Sequence, residues 1–303
     1  MSSRSFRYLL TCAAVIQMTA GLLCAQEPTG GFGIGPGMMM LENIRPGAPK
    51  PDVNSSSATF FAVHNGSDKK QIFSIYVLKP STVIETWEMG YTEIPDISWC
   101  SIDKSEIEVA PQSDGKVSFF VQVPDKPEYY NRKWMVVLAC SPGKQQQTGT
   151  VGLQVASRIQ LETLADPLVN GTAAGKPVGL APSICEMPES QPAAFWHALV
   201  RVYNNTEVEH TYEFKRLDEV EPEARRTRYF GQGYESVINP SWLSASQPFA
   251  IKPGAFHQID LKVSIPENVI RGKKYEELLI IKDEKGHSEF VRVRTEIAKT
   301  PAQ

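Results

Sequence analysis

The sequence lacks the motifs that support catalysis, metal binding or nucleic-acid binding. No two of its five histidines lie at the spacing of a helical metal site, and no Cys-x-x-Cys, glycine-rich phosphate loop or Gly-x-Ser-x-Gly elbow occurs. The formal net charge of the 303 residues is −3, so the excess of basic residues that a nucleic-acid footprint needs is missing. We therefore expect no catalytic residues, no cofactor, no metal ion and no nucleic-acid partner.

Apolar runs long enough to span a membrane are missing after the first 25 residues, so we expect no transmembrane segment in the mature chain. Arg4 and Arg7 precede a mostly apolar stretch, and residues 23–25 resemble a signal-peptidase site. Polar residues interrupt the stretch, which makes a retained membrane anchor the less favoured alternative. We predict that residues 1–25 are a signal peptide, that residues 26–33 are a flexible leader, and that the exported chain is periplasmic or extracellular.

Few cysteines are available for disulfide bonds, because only Cys100, Cys140 and Cys185 lie beyond the predicted signal peptide. An exported protein favours disulfides, and a Cys100–Cys140 bond is the obvious candidate. The predicted strand order, however, separates these two residues by roughly 25 Å at about 3.3 Å per residue. A disulfide needs Cα atoms within about 7 Å. We therefore predict that Cys100 and Cys140 are not bonded to each other.

What the sequence does contain is a ten-residue phrase that occurs twice. Residues 90–99 and residues 233–242 both begin with Gly-Tyr and end with Ser-Trp. An alternating apolar strand follows each copy and ends at Val123-Pro124 in the first and Ile265-Pro266 in the second. Matching landmarks at a fixed offset indicate a duplicated structural unit.

Both halves contain about seven short segments in which apolar and polar residues alternate, and neither contains a convincing amphipathic helix. This pattern is typical of a β-sandwich, in which two sheets bury their apolar faces against each other. The sequence therefore predicts an all-β protein with sandwiches at residues 34–157 and 179–298. Residues 158–178 form the predicted linker, and residues 299–303 form a tail.

The second half also resembles a known class of module. The motifs are Ser241-Trp242, the turn at residues 251–254, Ile265-Pro266 and Lys274-Tyr275. Together they resemble immunoglobulin-like modules of prokaryotic secreted and cell-envelope proteins. The resemblance implies two tandem immunoglobulin-like β-sandwich domains after a signal peptide. It implies little about function, because such modules act as spacers, adhesins, enzyme accessories and chaperones.

Aromatic residues cluster in and before the repeated phrase, on predicted loops. Aromatic side chains offer large contact areas at low entropic cost, so these residues form a candidate partner surface. The candidate residues are Trp87, Tyr91, Tyr229, Phe230 and Tyr234. Alternatively, the tyrosines and tryptophans of the repeated phrase fill the end of each sandwich as core. The charged insertion at residues 217–230 is expected to be a solvated loop.

Two functions fit these observations. The favoured one is a non-catalytic exported protein that acts as a structural, scaffolding, or protein- or glycan-binding module of the cell envelope, with another envelope or extracellular protein or a polysaccharide as partner. The alternative is a periplasmic two-domain assembly chaperone, which would use a cleft between its domains and an exposed edge strand for β-augmentation. The long predicted linker and the lack of a recognisable basic pair at the cleft weigh against the chaperone.

Overall fold

The computed structural model of the chain describes residues 31–51, 59–83, 88–143, 154–169, 176–237, 242–244 and 247–299. The predicted signal peptide, most of the predicted leader and the candidate residue Trp87 lie outside the described residues. Strands dominate the described parts, as the alternating pattern predicts.

The strands of the first half are β1 Phe32–Gly35, β2 Met38–Ile44, β3 Thr59–Asn65, β4 Gln71–Leu78, β5 Thr92–Glu93, β6 Cys100–Ile102, β7 Glu106–Val109, β8 Ser113–Val121, β9 Lys133–Pro142 and β10 Val155–Thr163. They form sheet A, in the order β1-β3-β8-β6, and sheet B, in the order β2-β10-β9-β4-β7. The short strand β5 pairs in parallel with β9. We refer to this sandwich as domain 1.

The strands of the second half are β11 Val178–Ala181, β12 Ile184–Glu186, β13 Phe195–Asn204, β14 His210–Arg216, β15 Tyr234–Ser236, β16 Leu243–Ser244, β17 Phe249–Ile251, β18 Phe256–Ser264, β19 Lys274–Asp283 and β20 Ser288–Glu296. Sheet C has the order β11-β13-β18-β16, and sheet D has the order β12-β20-β19-β14-β17 with β15 parallel to β19. This second sandwich, domain 2, repeats the topology of domain 1 strand for strand. The chain is therefore an all-β protein of two tandem immunoglobulin-like β-sandwich domains.

The first strand of each domain changes sheets at a proline. In domain 1 the chain leaves sheet A after β1, passes through the cis peptide Gly35-Pro36 and enters sheet B as β2. In domain 2 the cis peptide Ala181-Pro182 separates β11 in sheet C from β12 in sheet D. Among the described residues, the crossing makes β2 and β12 edge strands and leaves the first part of β3 and of β13 without a strand partner on one side. These unpaired edges define the sites described below.

Each sandwich has its own apolar core, built from the alternating side chains of its two sheets. The phrase tryptophans belong to these cores: Trp242 is 5% exposed, and Trp99 packs beside Trp134 at a ring-centroid distance of 5.6 Å. The alternative interpretation, in which the phrase fills the sandwich end, therefore holds for the tryptophans.

The cysteines agree with the prediction. Cys100, Cys140 and Cys185 are buried and free, and the expected absence of a Cys100–Cys140 disulfide is confirmed. Burial raises the pKa of each thiol to about 12, so all three thiols remain protonated at neutral pH.

Two boundaries and one loop differ from the sequence-based expectation. Strand β10 runs through Thr163, into the range predicted as linker, and β1 begins at Phe32, within the predicted leader. Glu162 at the end of β10 resembles a linker residue in the sequence because its main partner, Arg292, comes from the other domain. The charged insertion is also not a plain loop, because it forms the one-turn helices α1 Leu217–Val220 and α2 Glu223–Arg226, and Leu217 is buried.

A buried asparagine ends the second long strand of each domain. The Asn65 amide donates to the backbone oxygens of Lys69 and Val109, at 2.8 and 3.0 Å. The Asn204 amide donates equivalently to the backbone oxygens of Val208 and Ile251, at 2.7 and 2.9 Å. Both asparagines are 0% exposed, so both side chains fasten the turn that follows.

Candidate functional site

The two domains pack through the outer faces of their larger sheets, B and D. The apolar part of this interface contains Tyr91, Met135, Leu217, Tyr229, Leu278, Ile280 and Phe290. These residues come from both sheets and from the loops that precede β5 and β15. They surround a buried layer of charged side chains.

Arg292 of β20 lies at the centre of this layer and is 0% exposed. Its guanidinium donates to the Glu162 carboxylate of β10 at 2.5 and 2.7 Å and to Glu276 Oε1 of β19 at 2.5 Å. The adjacent Arg294 donates to Glu276 and to Glu42 of β2. Arginines of domain 2 are therefore paired with carboxylates of both domains.

A second cluster of charges lies beside the first. The Lys133 ammonium group of β9 donates to Glu289 Oε1 at 3.1 Å and to the Phe290 backbone oxygen at 2.7 Å. Lys176, just before β11, donates to Glu289 Oε2 at 2.5 Å and to the Gly90 backbone oxygen at 3.1 Å. The Glu289 carboxylate of domain 2 therefore pairs with a lysine of domain 1 and with a lysine of the connection between the domains.

The described charges of this layer form ion pairs. Its acids are Glu42, Glu88, Glu162, Glu276 and Glu289, and its bases are Lys133, Arg158, Lys176, Arg292 and Arg294, with the more exposed Arg228 also 3.6 Å from Glu88. Burial alone would be costly for a charge, and pairing with good hydrogen bonds compensates for that cost. Several of these pairs join one domain to the other, so they depend on the relative placement of the two sheets.

The pKa shifts follow from this pairing. Burial alone raises the pKa of Glu162, but the charge and hydrogen bonds of Arg292 outweigh it and lower the pKa to about 2. Burial lowers the pKa of Lys133, and the Glu289 charge opposes that shift. Burial and the Glu162 charge raise the pKa of Tyr91 well above its ordinary value, so its hydroxyl stays protonated and donates to Glu162.

The glycine of the repeated phrase has a structural role in both copies. Gly90 and Gly233 have φ values of +79° and +82°, a region that residues with a Cβ atom rarely adopt. A Cβ atom at Gly90 would also lie 2.4 Å from a ring carbon of Phe290 in the other domain. The first phrase therefore turns in direct contact with domain 2.

The structure places the sequence-predicted aromatic residues mainly inside this interface. Tyr91 and Tyr229 are 5% and 2% exposed, and the partly buried Phe230 packs against the same cluster. Tyr234 is partly exposed, with the Arg294 guanidinium 4.4 Å from its ring centroid. Tyr91 and Tyr229 therefore do not form an exposed partner surface, because each domain covers the aromatic loop of the other.

Hydrogen bonds anchor both ends of the connection between the domains. The Asn131 side chain donates to the Asp166 backbone oxygen at 2.7 Å, and its oxygen accepts from the Asp166 and Ser183 backbone N–H groups, both at 3.0 Å. Lys176 anchors the other end through Glu289. A long predicted linker therefore does not imply loosely held domains.

A groove with a cavity volume of about 470 Å³ opens beside β2, where the two domains meet. Residues 40–44 of the strand line one wall of the groove, and Phe119, Phe120 and Val121 of β8 line another. The lining also includes Pro49, and Gln232 from domain 2. The groove thus combines an edge strand with apolar side chains and with both domains.

The edge of β2 that faces away from β10 has no strand partner among the described residues. The Arg158 N–H of β10 donates to the Gly37 oxygen at 3.0 Å, so Met39 and Leu41 direct their backbone groups toward β10. The backbone N–H and C=O groups of Met38 and Met40 then point away from β10. They are available to pair with another strand.

The sequence matches no protein-family model and no curated protein. Similar solved structures include a protein of unknown function from Porphyromonas gingivalis W83, at 13% identity and a TM-score of 0.34, over 88% of this chain and 100% of that one. The class 5 fimbriae chaperone CfaA has 12% identity and a TM-score of 0.32, over 90% and 100% of the two chains. The E. coli chaperone DraB has 10% identity and a TM-score of 0.29, over 89% and 97%. Similarities this low carry no information about function.

Other kinds of site are not found in the described parts of the chain. There, no group of three or more histidine, cysteine, aspartate or glutamate side chains is arranged to hold a metal ion. No helix of those parts is long and apolar enough to cross a membrane. The edge of β2 was missed from the sequence, although Gly35-Pro36 before the methionine run is the signal that could have located the change of sheet.

Proposed function

We propose that this chain is an exported, non-catalytic protein that binds an extended segment of a partner protein by adding it as a strand to the free edge of β2. The observation that supports the proposal is the edge of β2, which is unpaired among the described residues and lies beside a groove lined by both apolar and polar side chains at the domain junction. Strand addition supplies affinity through backbone hydrogen bonds and specificity through pockets for alternate side chains. The proposed export rests on the signal-peptide pattern of residues 1–25.

An assembly chaperone is the form of this function that we favour over a passive spacer. The sequence suggests that the linker is too long to hold the two domains at a fixed angle. This objection no longer applies, because Asn131 and Lys176 anchor both ends of the connection. A spacer, in contrast, needs neither an unpaired edge nor a groove.

The other sequence-based objection is the lack of a recognisable basic pair at the cleft, and it indicates how this protein would hold its partner. The described basic residues of the buried interdomain layer, such as Arg292 and Lys133, already pair with glutamates of that layer. They are not free to anchor a partner's terminal carboxylate. The proposed recognition therefore depends on backbone pairing along β2 and on apolar contacts in the groove.

Proline at position 40 tests the proposal. Met40→Pro removes an N–H group that faces the groove and leaves the β10 ladder intact, because proline is tolerated where a strand's N–H group is unpaired. The probe is a fluorescein-labelled peptide of alternating threonine and valine between lysine pairs, followed by fluorescence anisotropy. We expect Met40→Pro to weaken binding at the β2 edge about tenfold or more, which corresponds to about 1.4 kcal/mol.

Two controls separate edge pairing from other effects. Met40→Leu keeps the N–H group while removing the sulfur that Arg292 contacts, and we expect it to bind the peptide as the wild type does. A peptide with prolines in place of alternate threonines should not bind. Equal binding by wild type and Met40→Pro would exclude the β2 edge as the site.

A further inference from the structure

Domain 2 has a second unpaired edge, in the first part of β13. Strand β11 pairs with β13 only from Arg201 to Asn204, because the chain then crosses to sheet D after Ala181. Among the described residues, no strand lies beside residues 195–200 on that side. Their other side pairs throughout with β18.

The direction of the backbone groups follows from the ladder. The Ile265 N–H donates to the Ala194 oxygen at 2.8 Å, and the Asn204 N–H donates to the Ala255 oxygen at 3.0 Å. Even-numbered residues of β13 therefore direct their N–H and C=O groups toward β18. The odd-numbered Phe195, His197 and Leu199 direct theirs toward the open edge.

The side chains of the same residues are exposed and mostly apolar. Phe195 and Leu199 are 52% and 56% exposed, and His197 lies between them. In natural proteins, charged residues, prolines or bulges usually prevent a sheet edge from pairing with a strand of another chain. In domain 1 the position equivalent to Leu199 is Phe60, which is also exposed, at 52%, and has the Lys116 ammonium group 3.8 Å from its ring centroid.

The shape of the open edge favours an extended segment over a second copy of this chain. A strand added beside residues 195–200 would continue the line that β11 leaves at Ala181. Its inward side chains would face the seam of the sandwich, where Met187 and Trp196 are only partly buried. The β13 strand of a second copy would leave this seam unfilled, because its inward side chains Ala198 and Val200 remain in the core of their own domain.

We infer that the open edge of β13 is a second strand-accepting site, which binds an extended, alternately apolar segment of a partner protein. The site is distinct from the groove beside β2, because it lies on sheet C of domain 2, whereas that groove is lined by β2 and β8 of domain 1 with Gln232 of domain 2. A partner that supplies two such segments would engage both domains at once, and linked binding of this kind exceeds the affinity of either site alone.

Proline at position 199 tests this site. The Leu199 N–H faces the open edge, so Leu199→Pro removes no bond to β18 and should fold. Val200→Pro is the matched control, because it removes a bond to β18 and should lower the melting temperature. His197→Pro is a second edge variant in case Leu199→Pro is unstable. The probe is the labelled threonine–valine peptide, and stoichiometry is measured by titration calorimetry.

Combining the two edge variants separates this inference from the proposed function. We expect two peptides to bind each wild-type chain, one to bind Met40→Pro, one to bind Leu199→Pro and none to bind the double variant. Hydrogen exchange should show the amides of Phe195, His197 and Leu199 becoming protected when the peptide binds.

Other outcomes would contradict the inference and leave the proposed function of the β2 edge unaffected. Binding of one peptide to the wild type, abolished by Met40→Pro and unchanged by Leu199→Pro, would show that β13 accepts no strand. A wild-type dimer in solution that Leu199→Pro converts to a monomer would show that a second copy occupies the edge. Binding abolished by Leu199→Pro alone would instead support the β13 site and contradict the proposed function.

Discussion

The molecule has two kinds of interior, and they are held together by different physics. Inside each sandwich, apolar side chains from two sheets pack against each other with little polar content. Between the sandwiches, two sheet faces enclose a layer of paired charges, with Arg292 at its centre. Apolar packing is non-directional and tolerates changes of shape, whereas buried charges are satisfied only when each has its partner. The cores therefore stabilise each domain, and the charged layer fixes how the domains are placed relative to each other.

Removal of the central arginine should have the largest effect. Arg292→Met leaves Glu162 and Glu276 buried without their main partner, and the loss of one member of a buried ion network costs about 3–5 kcal/mol. We expect a value near 5 kcal/mol in urea unfolding, with the two domains unfolding separately. The exposed Arg225→Met is the matched control and should change stability by less than about 0.5 kcal/mol. A single cooperative transition at wild-type stability would show that the charged layer does not hold the domains together.

The same comparison predicts how proteolysis proceeds. We expect limited digestion to cut first between the domains, near the 84% exposed Leu168, and to leave two resistant fragments. In the wild type the buried layer should keep these fragments associated on a gel-filtration column, and in Arg292→Met they should separate. One resistant fragment that spans the connection would contradict the division into two folding units.

Truncation of a core aromatic should have the next largest effect, confined to one domain. Trp242 is buried against the domain 2 core, and its ring centroid lies 5.3 Å from that of Tyr275. We expect Trp242→Ala to destabilise domain 2 by about 4 kcal/mol, within the range for buried aromatic residues. Phe256→Ala, at a 54% exposed ring, is the control. An unchanged melting temperature would mean that Trp242 contributes no packing energy.

The two interiors also differ in how far the sequence predicts them. The sandwich cores are predicted well, because burying one face of a strand produces alternation that is visible along β8 and β18. The charged layer is not predicted, because Glu162 and Arg292 look like solvent-facing residues of their strands until the partner sheet is in place. The burial of Tyr91 and Tyr229 is not predicted for the same reason, since contacts with the other domain contribute to it. Long-range pairing across domains leaves no local periodic signal.

The asparagine turns should show a smaller effect that is the same in both domains. Asn204 donates two hydrogen bonds and accepts two from Thr206, so Asn204→Ala leaves several groups unsatisfied. Unsatisfied buried groups cost about 1–3 kcal/mol, and we expect about 3 kcal/mol for this variant. Asn65→Ala is the matched variant in domain 1 and should cost a similar amount. Loss of stability in only one of the two would show that the duplicated turns are not energetically equivalent.

The smallest predicted effect is a pH dependence that arises inside domain 2. Glu277 is the exception to the apolar core, because it lies beside Trp242 and Leu243. Burial raises its pKa to about 7, the Leu278 N–H group and the charges of Arg226 and Arg216 lower the pKa, and the charge of Asp218 raises it. Because the folded pKa lies above the unfolded value, the protonated carboxyl favours folding. Its contribution is fully present below about pH 4.5 and is lost as pH rises through about 7.

Between pH 5 and pH 8 this carboxyl should therefore reduce the stability of domain 2 by about 2 kcal/mol, since one pKa unit corresponds to about 1.4 kcal/mol and Glu277 keeps some contact with water. Glu277→Gln cannot ionise, so its unfolding free energy should vary less over that range and exceed the wild-type value at pH 8. The exposed Glu267→Gln is the control, and it should follow the wild-type profile. If Glu277→Gln and wild type have parallel profiles in urea unfolding, the carboxyl does not titrate in the core, and the chemical difference between the two interiors is smaller than we infer.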